Sequence, residues 1–198
     1  MAKEKPNYPK MLAQKYSLAD EIGKGASGIV YKALNMQTGG MVAIKKVALR
    51  GESRDQLQLL QREIAVAPTG PALSTVYVGG GTPSLLSVEQ LRALLEALRR
   101  RYGLAPGAEL SLELDPASFD EQRLAGYLAA GVTRVSLGGQ SFTDAVLQSL
   151  GRRHRRADLL EAADWLQQAQ RSGRLQSWSL DLIQGLPGQT LSGWREQL

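Results

Sequence analysis

Two glycine-rich runs, a few carboxylates and an arginine cluster carry most of the chemistry open to this chain. Gly23-Lys24-Gly25-Ala26-Ser27-Gly28 has the spacing G-x-G-x-x-G, which alone is weak evidence. The next residues, Ile29-Val30-Tyr31, are β-branched and aromatic and favour a strand. A dinucleotide-binding turn needs a helix at that point, so that reading is disfavoured. A glycine-rich hairpin can instead lie over nucleotide phosphates, because bare backbone lets N–H groups approach. Lys45, closing Val42-Ala43-Ile44-Lys45, places a cation on the next strand. The second run, Gly79-Gly80-Gly81-Thr82-Pro83-Ser84, comes directly after the short apolar stretch Thr75–Val78. Its N–H groups suit a carboxylate. Asp115, Asp120 and Asp181 do not have a spacing that marks a catalytic dyad. Arg152-Arg153-His154-Arg155-Arg156 could hold phosphate or propionate groups, but a solvated helix start is the simpler reading. His154, the single histidine, lacks partner ligands, so no metal site is expected.

These residues need elements to position them. Tyr16–Ile22, Gly28–Leu34 and Met41–Val47 read as strands, with a hairpin turn at Gln37-Thr38-Gly39-Gly40. Ser53 begins a helix through about Ala65, with Leu57, Leu60 and Ile64 on one face. Beyond a Pro/Gly cluster at residues 68–71 the rhythm changes to strand and helix in alternation. Strands are expected at Thr75–Val78, Glu109–Leu114, Arg134–Leu137 and Ser177–Ile183. Between them, Ser87 and Gln90 form a capping box for a helix to about Arg101, and Ser118 with Glu121 reads as a second. Helices near Asp144–Leu150 and Ala157–Arg171 precede the last strand, with Leu159, Leu160, Trp165 and Leu166 as a packing face. The fold class is therefore α/β, a partial parallel (βα) barrel preceded by a small antiparallel sheet and one helix. Such folds place their sites at the C-terminal ends of the strands, where the glycines gather.

The first segment resembles the opening of a protein kinase small lobe. The residues that carry this are Ile22 through Lys32, then Val42-Ala43-Ile44-Lys45 and a helix holding Gln61-Arg62-Glu63-Ile64. The wording is similar to serine/threonine kinases of the Ste20 and MAP-kinase-kinase-kinase groups. The resemblance implies ATP held by Ile22, Gly23, Lys24, Gly25, Ala26, Ser27, Gly28 and Val30, with Lys45 on its phosphates and paired to Glu63. A kinase also needs an H-R-D base and a D-F-G magnesium ligand. Neither is present, so phosphoryl transfer is not expected.

Residues 75–190 resemble the radical S-adenosylmethionine family of oxygen-independent coproporphyrinogen III oxidases and haem chaperones. The matching blocks are Gly79 through Leu86, Leu112 through Pro116, Gly131 through Phe142, Leu150 through His154 and Leu180 through Thr190. The resemblance implies S-adenosylmethionine as cofactor, its methionine end against Gly80, Gly81 and Thr82, with Glu113 accepting hydrogen bonds from it. Gln140, Arg152 and Asp181 match positions that hold a second S-adenosylmethionine. It also implies a haem or porphyrin partner. The family's iron–sulfur cluster is held by C-x3-C-x2-C, and this chain has no cysteine. Four of the six barrel units are present in this reading, and radical chemistry is not expected of the chain alone.

The 198 residues are 43% hydrophobic and 22% charged, a globular rather than disordered composition. No apolar run approaches the roughly 20 residues of a membrane helix, and the N-terminus lacks a secretion signal, so a soluble cytoplasmic protein without nucleic-acid or membrane partners is expected. Residues 1–67 hold eight lysines, three arginines and six acids, whereas residues 68–198 hold no lysine, thirteen arginines and thirteen acids. That shift points to two pieces of different origin, residues 1–67 kinase-like and residues 68–198 barrel-like. The alternatives are an ATP-binding pseudokinase-like module and a fused or truncated gene product without selected activity.

Overall fold

The computed structural model describes residues 10–12, 16–25, 28–36, 39–46, 53–80, 82–186 and 188–197. It divides into two compact units, Met1–Ala48 and Leu49–Leu198. The helix at residues 53–66 therefore groups with the second unit, whereas the composition shift placed the boundary after Ala67.

The first unit is an antiparallel sheet of β1 (Lys10–Leu12), β2 (Tyr16–Gly25), β3 (Gly28–Asn35) and β4 (Met41–Lys46), in that spatial order. β2 and β3 stay in register to Gly25 opposite Gly28, after two irregularities between Leu18 and Gly23. β3 and β4 pair Ala33 with Val42 and Tyr31 with Ile44. Ala33, Asn35 and Ile44 are buried. The β3–β4 turn is closed by Asn35 N–H donating to Gly40 O at 2.9 Å and Gly39 N–H to Asn35 O at 2.8 Å. β1 was not anticipated.

The second unit begins with α1 (Ser53–Val66), followed by β5 (Leu73–Val78), α2 (Val88–Tyr102), β6 (Leu104–Leu114) and α3 (Glu121–Ala129). It continues through β7 (Arg134–Gln140), α4 (Asp144–Ser149), α5 (Arg156–Arg171), β8 (Ser177–Leu182) and α6 (Leu191–Arg195). The four strands are parallel in the order β5-β6-β7-β8. Parallel sheets covered on both faces read as continuous apolar runs. Here the strands alternate instead. Val76, Leu110, Leu112, Leu114, Val135 and Leu137 form the core with Leu91 and Leu95 of α2, Leu124 and Tyr127 of α3, and Leu159, Ala162 and Leu166 of α5. The intervening residues, Tyr77, Ser111, Glu113, Arg134, Ser136, Ser179 and Asp181, belong to the opposite face, since successive side chains of a strand point to opposite sides.

Some local expectations needed correction. The Ser87–Gln90 capping box is present. The Ser118–Glu121 box is not: α3 is capped by Asp120, whose Oδ1 accepts from Arg123 N–H at 2.7 Å. Asp115-Pro116 starts a 3₁₀ turn that occupies the Ser118 hydroxyl with Asp115 O and Ser84 Oγ. β6 starts at Leu104, with its pairing to β5 interrupted between Leu73 and Thr75 opposite Pro106-Gly107. Leu159 and Leu166 are fully buried, but Leu160 is exposed. No helix among the described residues is long and apolar enough to cross a membrane.

Candidate functional site

β5 ends at Val78, and the chain turns through Gly79 and Gly80. A side chain at Gly79 has no room: its Cβ would lie 2.2 Å from Tyr77 Cε1 and 2.9 Å from Glu113 Cδ. Gly80 adopts φ of 84°, a conformation that glycine alone takes without strain. The turn is pinned from the neighbouring strand. Gly80 N–H donates to Glu113 Oε2 at 2.8 Å, and the Tyr77 hydroxyl donates to Glu113 Oε1. Burial pushes the Tyr77 phenol well above its ordinary range, and the adjoining Glu113 charge adds to this. The phenol therefore stays a donor.

The same polar face continues across β7 and β8. Glu113 lies beside Ser136, and Ser136 beside Ser179. Ser136 Oγ donates to Asp181 Oδ2 at 2.8 Å, and Arg134 Nη2 donates to Ser179 Oγ at 2.9 Å. Burial raises the Asp181 carboxyl above its usual value; the Ser136 hydrogen bond opposes that, Glu113 reinforces it and Arg134 opposes it. Glu113 and Asp181 thus sense each other across one strand. This arrangement favours a cationic ligand group, which would relieve the carboxylate repulsion.

The remaining expected residues lie at the same edge of the sheet, in separate roles. Thr82 O accepts from Leu85 N–H at 3.0 Å and starts a short 3₁₀ turn. Gln140 ends β7 with φ of 64°, and its carbonyl accepts from Ile183 N–H at 2.9 Å. Arg152 reaches Asp115 rather than Asp181, with Nη1 to Oδ2 at 3.3 Å. The arginine cluster is not a freely solvated helix start. Arg155 Nη1 donates to Arg152 O and His154 O, both at 2.9 Å, and His154 is fully buried with Nε2 3.1 Å from Gly139 O. Gly81, Ala26 and Ser27 lie outside the described residues. Of the other ATP-site expectations, Ile22, Gly23, Lys24 and Gly25 fall on β2, Gly28 and Val30 on β3, Lys45 on β4 and Glu63 on α1. Val30 pairs with Lys45 in the β3–β4 register.

Tyr77, Arg134, Ser136 and Ser179 were missed from the sequence. A signal was present in the alternation Arg134-x-Ser136 and Ser177-x-Ser179-x-Asp181, in which every second residue is polar.

Parallel strands joined through helices, with a pinned glycine turn and carboxylates at their C-terminal ends, define a protein of the (βα) barrel class, and the polar cluster lies where such folds place their sites. Residues 44–196 match the model of the Radical SAM superfamily, and the chain belongs to that family. It is 40% identical over 159 residues to the Heme chaperone HemW of Synechocystis, covering 80% of this chain and 38% of that protein. It is 44% identical over 128 residues to a mitochondrial Radical S-adenosyl methionine domain-containing protein 1 of Bos taurus, covering 64% and 28%. Among solved structures, coproporphyrinogen III oxidase from Escherichia coli, described as a radical SAM enzyme, aligns with a TM-score of 0.64 and 31% identity, covering 72% of this chain and 33% of that one. The chain thus spans about a third of the length of these relatives.

The family implies two groups, and the residues present treat them differently. S-adenosylmethionine carries an ammonium and a sulfonium, which fit the Glu113 and Asp181 face. An iron–sulfur cluster held by thiolates finds no donor, since the sequence has no cysteine. The chain's own residues do not fit that cluster.

Proposed function

We propose that residues 68–198 form the S-adenosylmethionine-binding part of a haem chaperone-like or coproporphyrinogen oxidase-like protein, and that this chain by itself binds the cofactor without cleaving it. Gly80, Gly81 and Thr82 would line the methionine end, and Glu113 would accept from the ammonium. Asp181 would add a second carboxylate, with Gln140 and Arg152 at the rim. The observation that carries this reading is the clamp of Gly80 N–H on Glu113 Oε2 at 2.8 Å, which fixes a carboxylate beside a bare turn. Both Glu113 oxygens retain lone pairs for a ligand donor. Haem or a porphyrin is the second small-molecule partner in this reading, supported by the names of the relatives. Isothermal titration with S-adenosylmethionine tests it. Binding that is weakened about tenfold by Glu113→Gln supports the reading; absence of binding to the wild type overturns it.

The first unit supports a second reading, as an ATP-binding kinase-like fragment of separate origin. Its β2–β3 hairpin runs in register to the glycine run, and Lys45 lies on the adjoining strand opposite Val30. ATP should then raise the unfolding midpoint, and Lys45→Met should abolish the rise. No rise with ATP removes this reading.

A further inference from the structure

Arg134 is the cation of the polar face, and the Glu113–Asp181 site leaves it partly unused. It is 7% exposed. A guanidinium has five N–H donors and cannot shed its charge inside a protein. Arg134 Nη2 donates to Ser179 Oγ at 2.9 Å, but Nη1 is buried without a hydrogen-bond partner. Among the described residues no carboxylate forms an ion pair with it. Glu113 and Asp181 share its face and accept hydrogen bonds from Tyr77, Gly80 and Ser136. The side chain starts at the first residue of β7, beside Ser111 and Ser177, and reaches up to the next row at Ser179. Its head therefore reaches the row of Glu113, Ser136 and Ser179. A buried guanidinium with one nitrogen unsatisfied is costly, and a ligand carboxylate at Nη1 would offset that cost.

We propose that Arg134 is a carboxylate receptor, its free Nη1 taking an oxygen of a ligand carboxylate that enters along the polar face of β5–β8. This deepens the proposed ligand-binding function and rests on it for the identity of the ligand. Two sources share the chemistry: the methionine carboxylate of S-adenosylmethionine and a propionate of a tetrapyrrole.

Paired titrations on the full chain distinguish the sources. S-adenosylmethionine is compared with its decarboxylated form, and haem with haem dimethyl ester, on wild type, Arg134→Gln and Arg134→Lys. The expected result is a loss of about tenfold or more for Arg134→Gln with the acid member of one pair, little change with its carboxylate-free member, and partial recovery in Arg134→Lys. The pair that responds names the source. Equal affinities within twofold for every ligand, or equal losses for both members of a pair, would overturn the proposal and leave Arg134 as a brace for Ser179. If the wild type binds neither cofactor nor haem, the proposed function fails. Sodium propionate then decides Arg134. A larger rise in unfolding midpoint for wild type than for Arg134→Gln, against sodium chloride at equal ionic strength, sustains the receptor; equal rises overturn it.

Discussion

Both sheets of this chain have four strands, and both carry a glycine-rich turn at the end of a strand, yet the two turns are held in different ways. The strands that flank the run at residues 23–28 pair with each other up to Gly25 opposite Gly28. The turn at Gly79-Gly80 is held by a residue 33 positions away from Gly80, the Glu113 carboxylate on the neighbouring strand. The first is a local device that many hairpins share. The second needs the sheet to have formed, so it ties the geometry of the candidate site to the fold around it. A glycine pattern therefore says little until the residue that grips it is known.

Mutations can break this contrast in a graded way. The largest expected effect on binding is from Gly79→Ala. Its Cβ meets the Tyr77 ring and Glu113, and relieving an overpacked site of this kind costs about 1–3 kcal/mol or more. Chemical denaturation should find that loss, together with loss of S-adenosylmethionine binding. Leu137→Ala should cost about 2–5 kcal/mol by cavity formation, since Leu137 is fully buried in the helix-covered face. It should weaken binding only as far as it weakens folding. Glu113→Gln should cost less in stability, about 1 kcal/mol, because its amide keeps one acceptor oxygen. It should show mainly in the titration. Gly39→Ala, in the first sheet, meets no atom within 4 Å but has φ of 69°. It should cost about 1 kcal/mol and leave cofactor binding intact. If Gly39→Ala and Gly79→Ala have equal effects on binding, the assignment of cofactor binding to the second sheet alone is wrong.

The smallest effect is the most specific. The Asp181 carboxyl is raised in the folded chain above its ordinary value of 3.8, first by burial. A raised folded value means that ionisation opposes folding: the native state holds its proton more tightly than the unfolded one. The protonated form's advantage is fully present below pH 3.8 and lost as pH climbs through the folded value. Asp181→Asn should therefore raise the unfolding midpoint slightly at pH 7. The gain is under about 1 kcal/mol, as the carboxyl keeps solvent contact, and should shrink as pH falls towards the unfolded value.

The strand–helix alternation and the Ser87–Gln90 cap could be read from the sequence because each is local and periodic. The Asp120 cap could not, because Ser118-x-x-Glu121 satisfies the same rule and only the long-range bond of Ser118 to Ser84 decides between them. The Tyr77–Glu113 pair is hidden for a similar reason: 36 residues separate its members, and only the β5–β6 register brings them together. His154 looked like part of a charged run but is fully buried, since Arg155 turns back to cap the loop carbonyls. The kinase-like residues could be placed on strands from their β-branched neighbours, and the unit boundary before α1 does leave a trace in composition, since all eight lysines lie before Leu49 and all sixteen arginines after Ala48.

The two-residue alternation of β7 has a further consequence for how this protein can vary. Inserting or deleting one residue inside Arg134–Gln140 would exchange its two sets of side chains. Val135 and Leu137 would move to the polar side, while a guanidinium and a hydroxyl would be driven into the helix layer. Recognition and folding would fail together, so length changes in this unit should be tolerated in the loops and absent from the strands.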